Sequence, residues 1–194
     1  MNRPPQGILT RRLRGLRYRR VHVEPGVQVH SRLIIRGPGS VFIGAHTTIG
    51  SRGAPPTLIQ TTAPEAVVVL GQRCFINGAA IEAHRSVTFG DDCLVGPGSH
   101  VLDCDFHGVH PRERHGPMGA EASSVRIGNN VWLATRASVL KGSIIGDDAV
   151  IGYGTVVRGP IPSGSVVVSA ANRIVRTFGT ETGDEPPEST MVHR

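Results

Sequence analysis

Aromatic side chains are scarce in this sequence, at 4% of 194 residues, while glycine reaches 25 and proline 14. A core with so few large rings must be filled by Val, Ile, Leu and small residues. That suits a repetitive β architecture with many turns better than a helical bundle. Cysteine is equally sparse. Cys74, Cys93 and Cys104 are too few and too scattered for a disulfide framework or a CxxC metal site, and they read as reduced thiols. No run of about 18 apolar residues occurs, so no transmembrane helix is predicted. The opening residues also lack the apolar stretch of a secretory signal. With reduced cysteines, these absences predict a cytoplasmic location. Acidic residues are outnumbered, giving a formal net charge of +6. Arg11, Arg12, Arg14, Arg17, Arg19 and Arg20 equal that excess on their own, so the basicity belongs to one end of the chain.

What the sequence does have is a repeat. From Ile127 an aliphatic residue recurs every six positions, at Leu133, Val139, Ile145, Ile151 and Val157. A small residue follows most of them, as in Gly128, Ala134, Gly146 and Gly152. Four positions after each aliphatic stands another residue of inward size: Val131, Ala137, Ser143, Ala149, Thr155. The same register appears at Phe89, Val95 and Val101, and in fragments at Leu70 and Ile76 and at Ile43 and Ile49. Such a period fits neither an α-helix nor a simple alternating strand. It fits a coil of three short strands, with aliphatics pointing into a triangular prism and turn residues at its corners. Eighteen residues complete a coil, so Ile127 should stack on Ile145 and Leu133 on Ile151. One coil cannot bury its own apolar edge, and only stacking makes a core.

Three segments interrupt the rhythm. Residues 1–20 form a basic arm, residues 103–124 a polar loop, and residues 177–194 a polar, acidic tail that reads as disordered. Residues 21–176 are then one repeat domain. Around residues 51–66 the phase is lost as well, which suggests a smaller insertion. A loop as long as 103–124 inside a compact repeat is usually functional or mobile. The arm at residues 11–20 has two readings: a contact for an anionic glycan, membrane surface or nucleic acid, or a solvated lead-in that caps the prism. The second is favoured, and no nucleic-acid partner is expected.

The segments GQRCFINGA, DCDFHGVHPRER, IGNNVWLATRASVLKGSIIGDDAVIGYGTVVRGPIP and ANRIVR together resemble the hexapeptide-repeat acyltransferases. The likeness runs from about Leu70 to Arg176 and is greatest to the sugar, maltose and galactoside O-acetyltransferases. It implies an all-β left-handed parallel β-helix. It further implies an enzyme that moves an acetyl group from acetyl-CoA to a hydroxyl of a sugar or glycan, working as a homotrimer. A xenobiotic or antibiotic O-acetyltransferase, a sugar N-acyltransferase and a non-catalytic β-helix scaffold are the alternatives. A γ-class carbonic anhydrase would need imidazoles where Thr135 and Leu140 stand, so no metal is expected.

Acetyl transfer from a thioester to a hydroxyl needs a base for the acceptor proton, and a neutral histidine is the natural one. Of nine histidines, His107 is set apart by its place at the start of the long loop between Asp103 and Asp105. The resemblance places the catalytic base there; the other reading is a surface histidine in a polar loop. Either aspartate would stabilise a charged imidazole beside it. His110 and His115 have no such match. Asn77 interrupts the small-residue position after Ile76, and an amide there both donates and accepts. Asn77 and Asp105 are the expected acceptor contacts, although Asn77 as a corner residue bonding its own turn is nearly as good a reading. Along the coenzyme the resemblance sets Trp132, Ala134, Thr135, Tyr153 and Arg158, with Arg173 and Arg176 toward its phosphates. An outward Trp132 in a turn would serve equally as a subunit contact.

Overall fold

Each six-residue period is one short strand and one corner. The computed structural model describes residues 20–108, 110–116 and 121–169, and among these there are twenty short strands and no helix. The strands form three parallel sheets of seven, seven and six. Every strand but the last three pairs with the one three further along the chain, so the chain winds as a three-sided prism. We number the faces in the order the chain visits them. The fold class is the parallel β-helix expected from the repeat.

Ile127 lies over Ile145 and Leu133 over Ile151, as an eighteen-residue coil requires. On the second face an inward ladder runs Val29, Ile49, Ile76, Val95, Leu133, Ile151, Val167. Ile49, Ile76, Leu133 and Ile151 are completely buried. Each such side chain contributes about 1.5–3 kcal/mol, a gain that exists only because a neighbouring coil covers it. The second inward position of the period, from Val131 to Thr155, is buried as well.

The corners between the first and second faces repeat one device. Asp91, Asn129 and Asp147 stack, and the side-chain oxygen of each accepts the backbone N–H of the residue one coil earlier. The bonds run from Gln72 to Asp91 at 2.9 Å, from Asp91 to Asn129 at 2.9 Å and from Asn129 to Asp147 at 2.7 Å. The residues that follow, Asp92, Asn130 and Asp148, have left-handed φ angles of 59, 52 and 58°, a conformation that Asp and Asn tolerate best after glycine. Stacking this close explains the small residue of the period. A Cβ at Gly128 would lie 2.8 Å from the backbone nitrogen of Asp147.

The smaller insertion expected around residues 51–66 is a lengthened corner at residues 50–56, and the chain stays in the prism; the expected place of Trp132 changes. The strand Thr57–Thr61 belongs to the third face, with Ile59 between Ile35 and Ile81. The period is lost there because that strand is longer and the corner before it carries extra residues, so counting by six falls out of step. Trp132 is outward, but it opens the strand Trp132–Leu133 instead of lying in a turn.

The strand His100–Leu102 ends the third face of its coil, and Val125–Ile127 resumes the first face. Residues 103–124 lie between them without disturbing the pairing of Val101 with Val139 or of Phe89 with Ile127. The basic arm apart from Arg20, the tail, Arg173 and Arg176 lie outside the described residues.

Candidate active site

The loop of residues 103–124 departs from the corner between the third and first faces, and its base is tied down by polar groups. Asp103 is completely buried, and its two carboxylate oxygens accept the backbone N–H groups of His84 and Arg85, both at 2.7 Å. Its carbonyl accepts the N–H of Ser123 at 2.7 Å, which brings the two ends of the loop together. Lys141, from the corner of the following coil, donates to Asp105 at 2.6 Å and to Glu121 at 2.7 Å. These bonds to Asp105 and then Glu121 raise the Lys141 ammonium above the ordinary lysine pKa.

His107 is exposed, and its Nδ1 lies 2.9 Å from the backbone carbonyl of Arg114. A carbonyl only accepts, so the partner assigns the proton to Nδ1 and leaves Nε2 with a free lone pair. The ring borders a cavity of about 410 Å³, lined also by Asp105, Gly108, Arg112, Glu113, Gly116 and Glu121. One ring nitrogen is held, and among the described residues no hydrogen bond reaches the other. Neither aspartate beside it in sequence is its partner. Asp103 is committed to two backbone N–H groups and Asp105 to Lys141, so the expected carboxylate support of the imidazole is replaced by a neutral carbonyl. Asp105 nevertheless lines the cavity, as an acceptor contact would.

Asn77 stands at a different edge of the prism, the corner between the second and third faces. Its Oδ1 accepts the backbone N–H of Ser51 at 3.1 Å and the Ser51 hydroxyl at 3.2 Å. The amide thus braces the extra residues of the neighbouring coil, and the bond is not to its own turn. Ala134, Thr135 and Tyr153 occupy the same column of corners, where the N–H of Gly154 donates to the Thr135 carbonyl at 3.0 Å. Tyr153 is 63% exposed. Trp132 is 49% exposed on the adjoining second face, between Leu94 and Val150 in register. Arg158 follows the last third-face strand and is exposed at the same edge as the loop. Within one chain, therefore, His107 and Asp105 share one edge, and Asn77, Ala134, Thr135 and Tyr153 share another. Among the described residues no group of three or more His, Cys, Asp or Glu gathers in a form that could hold a metal.

Reading the sequence missed Lys141, Ser51 and the carbonyl of Arg114. Lys141 and Ser51 act across long stretches of chain, the Arg114 carbonyl is a backbone group with no side chain to read, and a lone lysine in a turn carries no local signal of two carboxylate partners.

Residues 124–159 match the family described as bacterial transferase hexapeptide (six repeats). The putative lipopolysaccharide biosynthesis O-acetyl transferase WbbJ of Escherichia coli (strain K12) is 33% identical over 118 residues, which are 56% of this chain and 57% of that protein. The galactoside O-acetyltransferase of the same organism is 36% identical over 92 residues, 47% of this chain and 44% of that protein. The chain spans about half the length of the curated relatives it matches. In fold it is similar to a hexapeptide-repeat acetyltransferase of Vibrio cholerae complexed with acetyl coenzyme A. The TM-score is 0.51 at 19% identity, over 80% of this chain and 72% of that one. The repeat that sequence and structure share is thus the bacterial transferase hexapeptide, and the chain resembles the acetyltransferases built on it.

Proposed function

We propose that the protein is an acetyl-CoA-dependent O-acetyltransferase whose acceptor is a hydroxyl of a sugar or glycan, with His107 as general base. The observation that carries this reading is the held Nδ1 of His107 at the border of the cavity, which leaves the lone pair of a neutral ring on Nε2. In the reaction the acceptor oxygen attacks the thioester carbonyl carbon while Nε2 takes its proton. The carbon–sulfur bond then breaks, and the imidazolium returns the proton to the departing CoA thiolate. No metal takes part in this scheme.

Asn77 and Asp105 are assigned to the acceptor. Trp132, Ala134, Thr135, Tyr153 and Arg158 are assigned to the coenzyme, with Arg173 and Arg176 at its phosphates. Asp105 and Arg158 lie with His107 at one edge of the prism, whereas Asn77, Ala134, Thr135 and Tyr153 lie at another, so the reading requires a neighbouring copy to bring an edge bearing His107 against an edge bearing Thr135. A homotrimer meets that need. The outward row of the second face supports it, with Leu94 48%, Trp132 49% and Val166 71% exposed. A cytoplasmic location follows from the supply of acetyl-CoA there.

The test is an acceptor screen with acetyl-CoA and a reagent for free thiol, using neutral sugars, amino sugars and hydroxyl-bearing antibiotics. Release of CoA with a sugar hydroxyl is expected. Turnover confined to amines, or none with any acceptor, would overturn the reading.

A further inference from the structure

The chain contains 21 cationic side chains, and Lys141 is the one lysine among them. It also has the most elaborate ion pairing among the described residues apart from Arg73, whose partners Asp91 and Asp92 lie in an exposed corner. The Lys141 side chain is only 11% exposed. Its backbone is fixed in the stacked coil. The N–H of Leu140 donates to Val157 at 3.0 Å, that of Gly142 to Ser123 at 2.9 Å, and the Ser143 hydroxyl to Leu140 at 2.7 Å. From this rigid point the ammonium reaches Asp105 on the outgoing limb of the loop and Glu121 on the returning limb.

We infer that Lys141 is a positioning residue for His107, a clamp that joins both limbs of the loop to the prism and so fixes where the imidazole is presented. This inference rests on the proposed role of His107. Asp105 precedes His107 by a single intervening residue, so the Lys141–Asp105 bond sets the point from which the chain delivers the ring. The Arg114 carbonyl then sets the orientation of the ring. Without the ammonium, two carboxylates would face one another across the base of the loop and repel, and the limbs would separate. A surface ion pair contributes little because solvent screens it, and Asp105 and Glu121 are 36% and 66% exposed, but the lysine side chain is only 11% exposed and makes two charge-assisted bonds from one ammonium. A displacement of about 1 Å in a catalytic group costs up to roughly 10²-fold in rate, so the clamp is expected to act on turnover.

The experiment compares wild type, Lys141→Met and Lys141→Arg as full-length chains. Two readouts are taken: steady-state kinetics with acetyl-CoA and the best acceptor of the screen, and the side-chain nitrogen NMR signals of His107, identified by their disappearance in His107→Ala. Wild type should show the proton on Nδ1. Lys141→Met should mix the two tautomers and lower kcat by about 10–100-fold, with KM for acetyl-CoA within about twofold of wild type. Lys141→Arg restores a donor to both carboxylates, so it should return kcat to within about fivefold and recover the single tautomer. Unchanged kcat and tautomer in Lys141→Met would overturn the clamp, as would an equal loss in both variants or a loss confined to KM. If no acceptor is acetylated even by wild type, the proposed function fails and the NMR signals alone decide the clamp. A tautomer shift in Lys141→Met that Lys141→Arg reverses upholds it, and unchanged signals sink it.

Discussion

His107 donates through Nδ1 to the carbonyl of Arg114, 2.9 Å away and seven residues further along the same loop. The loop thus carries both the proposed base and the group that orients it. His107→Ala should lower kcat by about 10²–10⁴-fold, the usual contribution of a positioned base, while leaving the prism folded. His110 and His115 are exposed in the same loop and serve as controls that should lose far less. Turnover is to be compared for the three variants at saturating acetyl-CoA and acceptor. Near-normal turnover in His107→Ala would falsify the assignment.

Asp103 should matter for folding and not for chemistry alone. Among the described residues its carboxylate is the side-chain acceptor for the N–H groups of His84 and Arg85. Bonds of this charge-assisted kind contribute about 1.5–3 kcal/mol each, and their loss leaves two shielded donors unpaired. Asp103→Ala is expected to lower the urea midpoint by an amount worth at least about 2 kcal/mol. An unchanged midpoint would mean that water or a shifted backbone replaces the carboxylate without loss.

Adjacent residues on one strand should behave in opposite ways. Leu133 is completely buried, so Leu133→Ala should destabilise the fold by about 2–5 kcal/mol. Trp132 points outward, and Trp132→Ala should act on assembly instead. Sedimentation at low micromolar concentration is expected to show trimer for wild type and smaller species for the variant. Equal sedimentation of the two would remove Trp132 from the subunit contact and leave it to the coenzyme.

The cysteines predict a quiet background for any thiol assay. Cys74, Cys93 and Cys104 are free and buried. Burial, reinforced by the charges of Asp103, Glu82 and Asp105, pushes the Cys104 thiol up to about 11. Its hydrogen bond with Cys74 and then burial raise Cys93, while the same bond holds Cys74 below the ordinary thiol value. Since the thiolate is the reactive form and access is needed as well, the native chain should release no colour from a disulfide reagent at pH 8 within minutes. Denaturant should expose all three. Rapid reaction of the folded protein would show that at least one of the three thiols is reached by solvent.

The coils from Ile127 to Val157 were legible because every inward side chain recurs at a fixed interval, and periodicity survives in a linear string. Earlier coils were legible only in fragments. Near Ile59 the third-face strand lengthens and the preceding corner takes in extra residues, so the inward residues remain but their spacing does not. His107 was legible as a histidine in a long polar interruption. Its partner was not, because a backbone carbonyl has no letter of its own. The expected support from Asp103 or Asp105 failed for a related reason. Both carboxylates have stronger claims on them, from buried N–H groups and from an ammonium, and those donors come from coils on either side of the loop.

The unbroken pairing on both sides of residues 103–124 has a thermodynamic consequence. The excursion adds nothing to the register and removes nothing from it, so its length enters folding mainly through closure entropy. That entropy grows logarithmically, by about 0.6 kcal/mol for each doubling of a flexible loop. A single leucine lost from the ladder costs several times more. As long as Asp103 and Lys141 hold the base, segments of different length and composition could be grafted between them while the prism keeps its stability. Under the proposed function, selection on such a chain can rewrite the acceptor chemistry without renegotiating the fold.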